Sequence, residues 1–484
     1  MGKHFNRYLK IAGFALAAML LGFYYQSGGS QASGQPAKHN DLNSSLEDQE
    51  EVSVTVYNSN IGLVKDLRHI HLPKGLTDLK FTAVAAQIMP QTVHIKSVTD
   101  PLNLEVLEQN YEYDLLTPQK LIDKFVGKEI KVLKDGVEVP VTILSTNGGV
   151  VYRMGDRIFT DYPGRLIFPG LPEDLIPRPT LVWLLENRID RPQKIEATYL
   201  TQGINWKADY VATLDNEDSE MDLTGWVTLD NKSGATYRNA RLKLVAGDVN
   251  RVIERYGHYD GIQRLEEMTK SVSSQISEKA FFEYHLYSLQ RTTTIKDNQT
   301  KQVSLLAANK VPVKKRFIYY GAEYYYRSRH GVPVSNQKVG VYVEVANKEE
   351  NHLGIPLPKG TIRVYKEDTD RSLQFIGEDQ IDHTAKDETI KIKMGEAFDL
   401  ASERRQTDWR KISDNIYEMA FEVSIRNHKD SPVTVNVIEP IPGDWEILQN
   451  SHEYKKIEAH TVQFDIPVEK DQEARLKYRV RVRF

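Results

Sequence analysis

Val227-Thr-Leu229-Asp-Asn231-Lys232 is the stretch on which the fold turns, because the same phrase returns as Val343-Glu-Val345-Ala-Asn347-Lys348 and Val423-Ser-Ile425-Arg-Asn427-His428. In each copy apolar residues alternate with polar ones, the period of a strand with one buried face. An Asn followed by a basic residue then stops the run. Turn-formers come next: Lys232-Ser-Gly234, Lys348-Glu-Glu-Asn351 and His428-Lys-Asp430-Ser-Pro432. Strand–turn–strand units of this kind build antiparallel sheets. The pattern predicts a mainly β chain of several antiparallel β-sandwich modules.

Working outward, the same period of two recurs on both sides. Val52, Val54 and Val56 alternate before a turn at Asn58-Ser-Asn60, and Ile61 to Leu72 forms the next strand. One helix interrupts the series: Thr117 is placed to cap it, Pro118 suits its first turn, Leu121, Ile122 and Phe125 share a face, and Gly127 ends it. Asp135-Gly136 and Asn147-Gly148 are tight hairpin signals, so residues 116–175 read as a small β-barrel-like subdomain. The expected organisation is a signal peptide at 1–32, a disordered linker at 33–50 and an N-terminal β region at 51–115. That subdomain follows, then a central sandwich at 176–330 carrying a flexible insertion at 250–280, and an immunoglobulin-like sandwich at 331–484. The last strand is the cleanest: Leu476, Tyr478, Val480, Val482 and Phe484 alternate with Lys477, Arg479, Arg481 and Arg483. Its basic side reads as a solvated face that discourages edge pairing, or else as a face for an anionic ligand.

The N-terminus predicts an address. Lys3, His4, Arg7 and Lys10 precede an uncharged apolar run from Ile11 to Tyr25, and Ser30-x-Ala32 offers a small-residue cleavage site. About 15 apolar residues make a helix of ~22 Å, short of the ~30 Å of a bilayer core. Cleavage is therefore expected, with membrane attachment only if the segment stays uncleaved. The 484 residues contain no Cys, which excludes disulfides, thiol catalysis and thiolate metal sites. An exported chain of this length without Cys points to a bacterium and to a secreted, periplasmic or cell-surface location. The net charge of −4 gives no footprint for nucleic acid.

Chemistry is sparse. No catalytic motif of known spacing occurs, so no catalytic residue is assigned and no cofactor or metal is expected. His69 and His71 share a strand face but lack a third ligand. Asp368, Asp370, Glu378, Asp379 and Asp382 cluster near turns without the glycine-bearing loop of a calcium site. The tract Tyr319-Tyr320-Gly-Ala-Glu-Tyr324-Tyr325-Tyr326-Arg327-Ser-Arg329-His330 is the candidate recognition surface, with Tyr324, Tyr325, Tyr326, Arg327 and Arg329 at its centre. Tyr and Arg are the residues binding surfaces favour. The alternative for this tract is a strand pair buried at a domain junction.

Several motifs together resemble a family. Leu107-Glu-Gln109-Asn110-Tyr111-Glu-Tyr113-Asp114-Leu115, Gly225-Trp226-Val227-Thr-Leu229-Asp-Asn231, Glu283-Tyr284-His285-Leu286-Tyr287, Thr300-Lys301-Gln302 and Leu357-Pro358-Lys-Gly360-x-x-Arg363-Val364-Tyr365-Lys366 are similar to those of an uncharacterised bacterial exported family, a domain of unknown function. That family is related to the C-terminal region of mucoidy inhibitor A homologues. The resemblance runs from residue 52 to the end and implies an exported β-rich protein with no assigned catalytic residues. Its mucoidy connection suggests polysaccharide, although this chain has no long coiled-coil insertion of the kind found in those homologues. The expectation is a non-enzymatic extracytoplasmic protein that binds a cell-envelope partner or polysaccharide, with an envelope hydrolase using an Asp/Glu pair as the alternative.

Overall fold

The computed structural model describes residues 39–160, 164–172, 175–247, 276–281, 284–368 and 370–484. The expected signal peptide, residues 33–38 of the expected linker and residues 250–275 of the expected insertion lie outside them; the rest of the linker is not disordered, since Asn40–Ser44 forms a strand parallel to Gly75–Thr82 and another strand begins at Gln49. The described chain is mostly β, with a single α-helix, Pro118–Lys124, capped by Thr117 Oγ1 accepting from Lys120 N at 3.2 Å. Four sheets of 4, 5, 8 and 13 strands carry the rest, and none closes into a barrel. Most pairings are antiparallel. Exceptions include Gln49–Tyr57 beside Tyr237–Ala246 and the end of Gln299–Tyr320 beside Val433–Pro440, which run parallel.

The segment expected to be barrel-like is an open five-stranded sheet, with edge strands Arg157–Phe159 and Arg165–Ile167 left unjoined. It has its own small core of Phe125, Ile130, Val132, Val141, Ile143 and Tyr152. Its two ends meet at a neck, where Leu116 N donates to Ile176 O at 2.9 Å and Ile176 N to Asp114 O at 3.1 Å.

A second apolar cluster is shared by three sheets. It joins Val54 and Val64 of the eight-stranded sheet, Phe81 and Trp183 of the four-stranded sheet, and Trp206 and Leu229 of the thirteen-stranded sheet. Trp183 meets Phe81 edge-on at 5.5 Å and donates its Nε1 hydrogen to Gln109 at 2.9 Å. The third cluster is C-terminal, around Phe421, Phe464, Tyr478 and Val480. Two long strands, Gln299–Tyr320 and Thr389–Lys411, run from the second cluster into the third. Residues 276–281 of the expected insertion form a strand against Tyr284–Leu289.

The recurrent Asn explains itself here. Asn231, Asn347 and Asn427 continue the buried phase of their strands two residues past the last apolar side chain, so all three are buried. Each amide then tethers the following turn to a distant segment. Asn231 donates to Ala235 O and Lys296 O, Asn347 to Ile355 O and Ala385 O, and Asn427 to Ser431 O and Val468 O, all within 3.2 Å. Their side-chain oxygens accept from Ser233 N, Gly354 N and Lys429 N. A fourth copy, Trp183-Leu-Leu185-Glu-Asn187-Arg188, does the same: buried Asn187 donates to Leu72 O and Pro73 O. A buried amide is tolerable only when so satisfied.

Candidate functional site

The tyrosine–arginine tract divides in two. Its turn, Glu323–Tyr326, points Tyr325 and Tyr326 inward and leaves Tyr324, Arg327 and Arg329 exposed. Arg327 pairs with Glu323 at 3.2 Å. The inward pair joins a buried polar knot. Arg404 and Glu439, exposed to 1% and 0%, form an ion pair, and Tyr326 Oη donates to Glu439 Oε2 at 2.8 Å. Arg404 Nη2 donates to Tyr478 Oη at 3.0 Å, and its guanidinium lies 4.4 Å from the ring centres of both Tyr325 and Phe421. Gly321 abuts Glu439 so closely that a Cβ there would collide with the carboxylate. Burial works against the charge of Arg404, but Glu439 and the surrounding phenols outweigh it and keep the guanidinium protonated. Burial also pushes the phenols of Tyr319, Tyr326 and Tyr478 well up, and that of Tyr325 to about 12. The knot is sealed from solvent and fastens the turn to the sandwich.

The strand end of the tract, Tyr320, borders a sheet face. Along Gln299–Tyr320, Phe317 and Tyr319 face the core, so Arg316, Ile318 and Tyr320 take the opposite side. The registers Arg316↔Tyr342, Ile318↔Gly340 and Ile318↔Asn436 bring three strands together there. Tyr320, 51% exposed, stands edge-on to Tyr342 at 6.3 Å. Arg316 pairs with Glu344 at 3.1 Å, while Asn436 donates to Asp465 at 2.7 Å and Lys455 pairs with Asp465 at 2.9 Å. The result is an edge-on pair of tyrosine rings on the sheet face, rimmed by hydrogen-bonding groups.

Beside it opens a groove of about 700 Å³ lined by Arg316, Phe317, Asp399, His428, Lys429 and Thr434 among others. The strand Gln299–Tyr320 leaves Glu220–Asn231 at Pro312 and first meets Val433–Pro440 at Phe317. The groove occupies that gap. Lys315 and Lys429 lie 5.7 and 5.6 Å from the Phe317 ring centre.

Other residues marked in the sequence are occupied locally. His69 lies 3.6 Å from Glu50 and His71 2.7 Å from Asp190, and no group of three metal-ligating side chains assembles among the described residues. Asp370 Oδ1 accepts from Ser372 N at 2.8 Å, which is turn chemistry, whereas Asp379 Oδ2 accepts from Lys393 N at 2.7 Å and links one strand to another. The basic ladder of Glu473–Arg483 is an interior strand between Ile416–Asn427 and Asp444–Asn450. Lys477 pairs with Glu422 at 3.1 Å, Arg479 with Asp408 at 2.8 Å and Arg481 with Glu418 at 2.7 Å, so much of the charge is cancelled across the strands.

Tyr342, Arg404 and Glu439 were not singled out by sequence reasoning. Tyr342 carries a legible signal, an aromatic in the outward phase of the second Asn-ended strand. Arg404 and Glu439 carry none, since each is a charge that acquires meaning only from a partner 35 residues away.

Among the described residues, every carboxylate with a displaced pKa is displaced downward. For Asp218, burial pushes the pKa up, but hydrogen bonds and charge from Lys315 and Lys366 more than reverse it. For Asp465, burial is likewise outweighed by Lys455, Gln463 and Asn436. For Asp408 the bond from Arg479 dominates.

Comparison with family models matches residues 195–484 to a domain of unknown function, DUF4139. The match spans more than half of the chain, which therefore belongs to that family. No curated protein matches it.

Proposed function

We propose that this DUF4139 protein is a non-enzymatic binding protein of the bacterial cell envelope, and that it holds polysaccharide on the patch of Tyr320 and Tyr342. The observation that carries the reading is Tyr320: half exposed on a flat sheet face, edge-on to Tyr342, beside the Arg316–Glu344 pair. A sugar ring presents an apolar face and a polar rim, and an exposed phenol with adjacent hydrogen-bonding groups matches both. Two further points support binding over hydrolysis. A glycosidase acid needs a raised pKa, whereas the displaced carboxylates described above are all held low by cations or hydrogen bonds. The relation expected between this family and the C-terminal region of mucoidy inhibitor A homologues is the ground for naming polysaccharide as the envelope component. The basic-then-apolar N-terminus supports export, and N-terminal sequencing of exported protein should find a start near Ser33.

The test is binding of the full chain to an array of bacterial envelope glycans, followed by calorimetry on any glycan retained. Tyr320→Ala should weaken binding by about tenfold, or ~1.4 kcal/mol, with an unchanged melting temperature. Arg327→Ala and Arg329→Ala should weaken it less. Release of reducing ends from a retained glycan would replace this reading with the hydrolase. Absence of any retained glycan would leave a protein partner as the envelope ligand.

A further inference from the structure

The four-stranded sheet is finished differently at its two sides. Its order runs Asn40–Ser44, Gly75–Thr82, Thr180–Asn187, Leu104–Glu112. On the first side the chain has added a strand to itself. Asn40–Ser44 lies parallel to Gly75–Thr82, and buried Arg68 donates to Ser44 O at 2.9 Å to hold its end. On the other side Leu104–Glu112 pairs with Thr180–Asn187 alone, and among the described residues no further strand follows it. Every residue from Glu105 to Asn110 is exposed, whichever face it takes. An edge open in this way turns unpaired backbone N–H and C=O groups to solvent, a template for another strand.

The register sets how much of that edge is regular. Leu185↔Val106 is followed by Leu184↔Glu108, so Leu107 is an extra residue, and a bulge there bends the strand. From Glu108 to Glu112 the pairing runs without a break against Leu184 to Thr180. This half is also held in place. Gln109 accepts from Trp183 Nε1 at 2.9 Å and donates to Pro90 O at 3.3 Å, and Tyr111 Oη donates to Ala86 O at 3.2 Å. Those contacts put Gln109 and Tyr111 on the core side, so Glu108, Asn110 and Glu112 share the other face. Tyr111 and the exposed Tyr113 stack at 5.6 Å.

Charge selects the occupant. Glu105 is already paired with Arg188 at 3.2 Å. Glu108 and Glu112, both exposed, have neither a cation nor a hydrogen-bond donor among the described residues. A second copy of this edge laid antiparallel about Asn110 would set Glu108 opposite Glu112 twice, and like charges directly opposite are destabilising. A strand with basic residues four apart meets both carboxylates at once.

We propose that the open edge at Glu108–Glu112 receives an extended segment of a partner protein as a fifth strand, and that this segment carries Lys or Arg at two positions four residues apart. The backbone of the edge supplies affinity, and the two carboxylates supply selectivity. They also fix the register, because a slip of one residue carries the basic side chains to the opposite face. The edge belongs to a different sheet from Tyr320, so this site goes beyond the glycan reading and is tested apart from it.

The probe is a labelled synthetic peptide, Thr-Lys-Val-Thr-Val-Lys-Val-Thr, titrated into the full chain beside the same peptide with Glu in place of both Lys. The Lys peptide should bind saturably and the Glu peptide at least about tenfold more weakly. Glu108→Lys/Glu112→Lys should invert that preference and leave the melting temperature unchanged, because neither carboxylate has a partner to lose. Amide hydrogen exchange should slow within residues 108–112 when the Lys peptide is bound. Absence of saturable binding overturns the proposal, as does a preference that survives the double substitution or protection that maps to another edge. A wild-type dimer in which the 108–112 amides are already protected also overturns it and assigns the edge to a second copy.

Discussion

The three Asn-ended phrases make opposite claims for their last two residues. In Asn427-His428 the Asn is buried and donates to Ser431 O, Val468 O and Glu469 O, while the His side chain is exposed. Asn427→Leu keeps much of the volume but strands those carbonyls, so chemical denaturation should show a loss of about 1–3 kcal/mol. His428→Ala should stay within about 0.5 kcal/mol. Equal losses would mean that the amide is not the tether. The sequence revealed Asn as a terminator, but not why, because its acceptors lie up to 65 residues away. The Arg404–Glu439 pair was illegible for the same reason. Arg404→Leu leaves Glu439 buried without its cation and should cost about 3–5 kcal/mol, with Arg404→Leu/Glu439→Leu costing less than the two single changes together. Near-additive losses in that cycle would show the two charges to be uncoupled. Asp218 offers a pH test. Its folded pKa lies below the ordinary 3.8, so its stabilisation is complete above that value and is lost as pH falls through the lower folded value. Asp218→Asn should flatten the fall in melting temperature over that acid range, and an unchanged slope would mean the lysines do not stabilise the charge.

At the scale of elements, period-two reading succeeded where one strand face is core and the other is not. Glu473–Arg483 buries Leu476, Tyr478, Val480 and Val482 and turns its basic residues outward. Val480→Asp places a carboxylate among Phe421, Phe464 and their neighbours, and should cost several kcal/mol, comparable to the whole stability of a domain. Arg481→Ala loses only half-exposed pairs with Glu418 and Glu446, so about 1 kcal/mol or less is expected. Similar losses by thermal and urea melts would refute the one-face-buried strand. What the alternation could not reveal was the ladder's surroundings. Charges read along one strand looked like an open basic face, whereas Glu418, Glu422 and Asp408 come from strands whose adjacency is set by long-range pairing. The same limit applies to the bulge at Leu107. There the phase of alternation breaks, and a phase break signals irregularity without saying which edge is left open.

For the whole molecule, composition and period were enough to predict a mainly β chain with one helix, but not how its strands are shared. The five-stranded subdomain behaves as an insertion: its core contains only its own residues, and its ends meet at Leu116 and Ile176. Replacing residues 117–175 with a short glycine–serine linker should therefore leave a cooperative melt and cost about 1 kcal/mol or less, since closure depends weakly on loop length. Loss of the cooperative transition would tie the subdomain to the rest. The C-terminal region should behave in the opposite way. Residues 331–484 read as a self-contained sandwich, yet Gln299–Tyr320 lies between two of its strands, pairing with Val334–Ala346 on one side and Val433–Pro440 on the other. That strand also delivers Tyr319 and, through the turn after it, Tyr325 and Tyr326 to the C-terminal core. A fragment of 331–484 would have an unpaired cleft through its sheet and a missing side of the Arg404–Glu439 knot. It should unfold without a cooperative transition, whereas a fragment beginning at residue 299 supplies the missing strand and should regain one. The comparison by calorimetry isolates a single strand as the cause. Cooperative melting of 331–484 alone would show that the C-terminal sandwich closes without it.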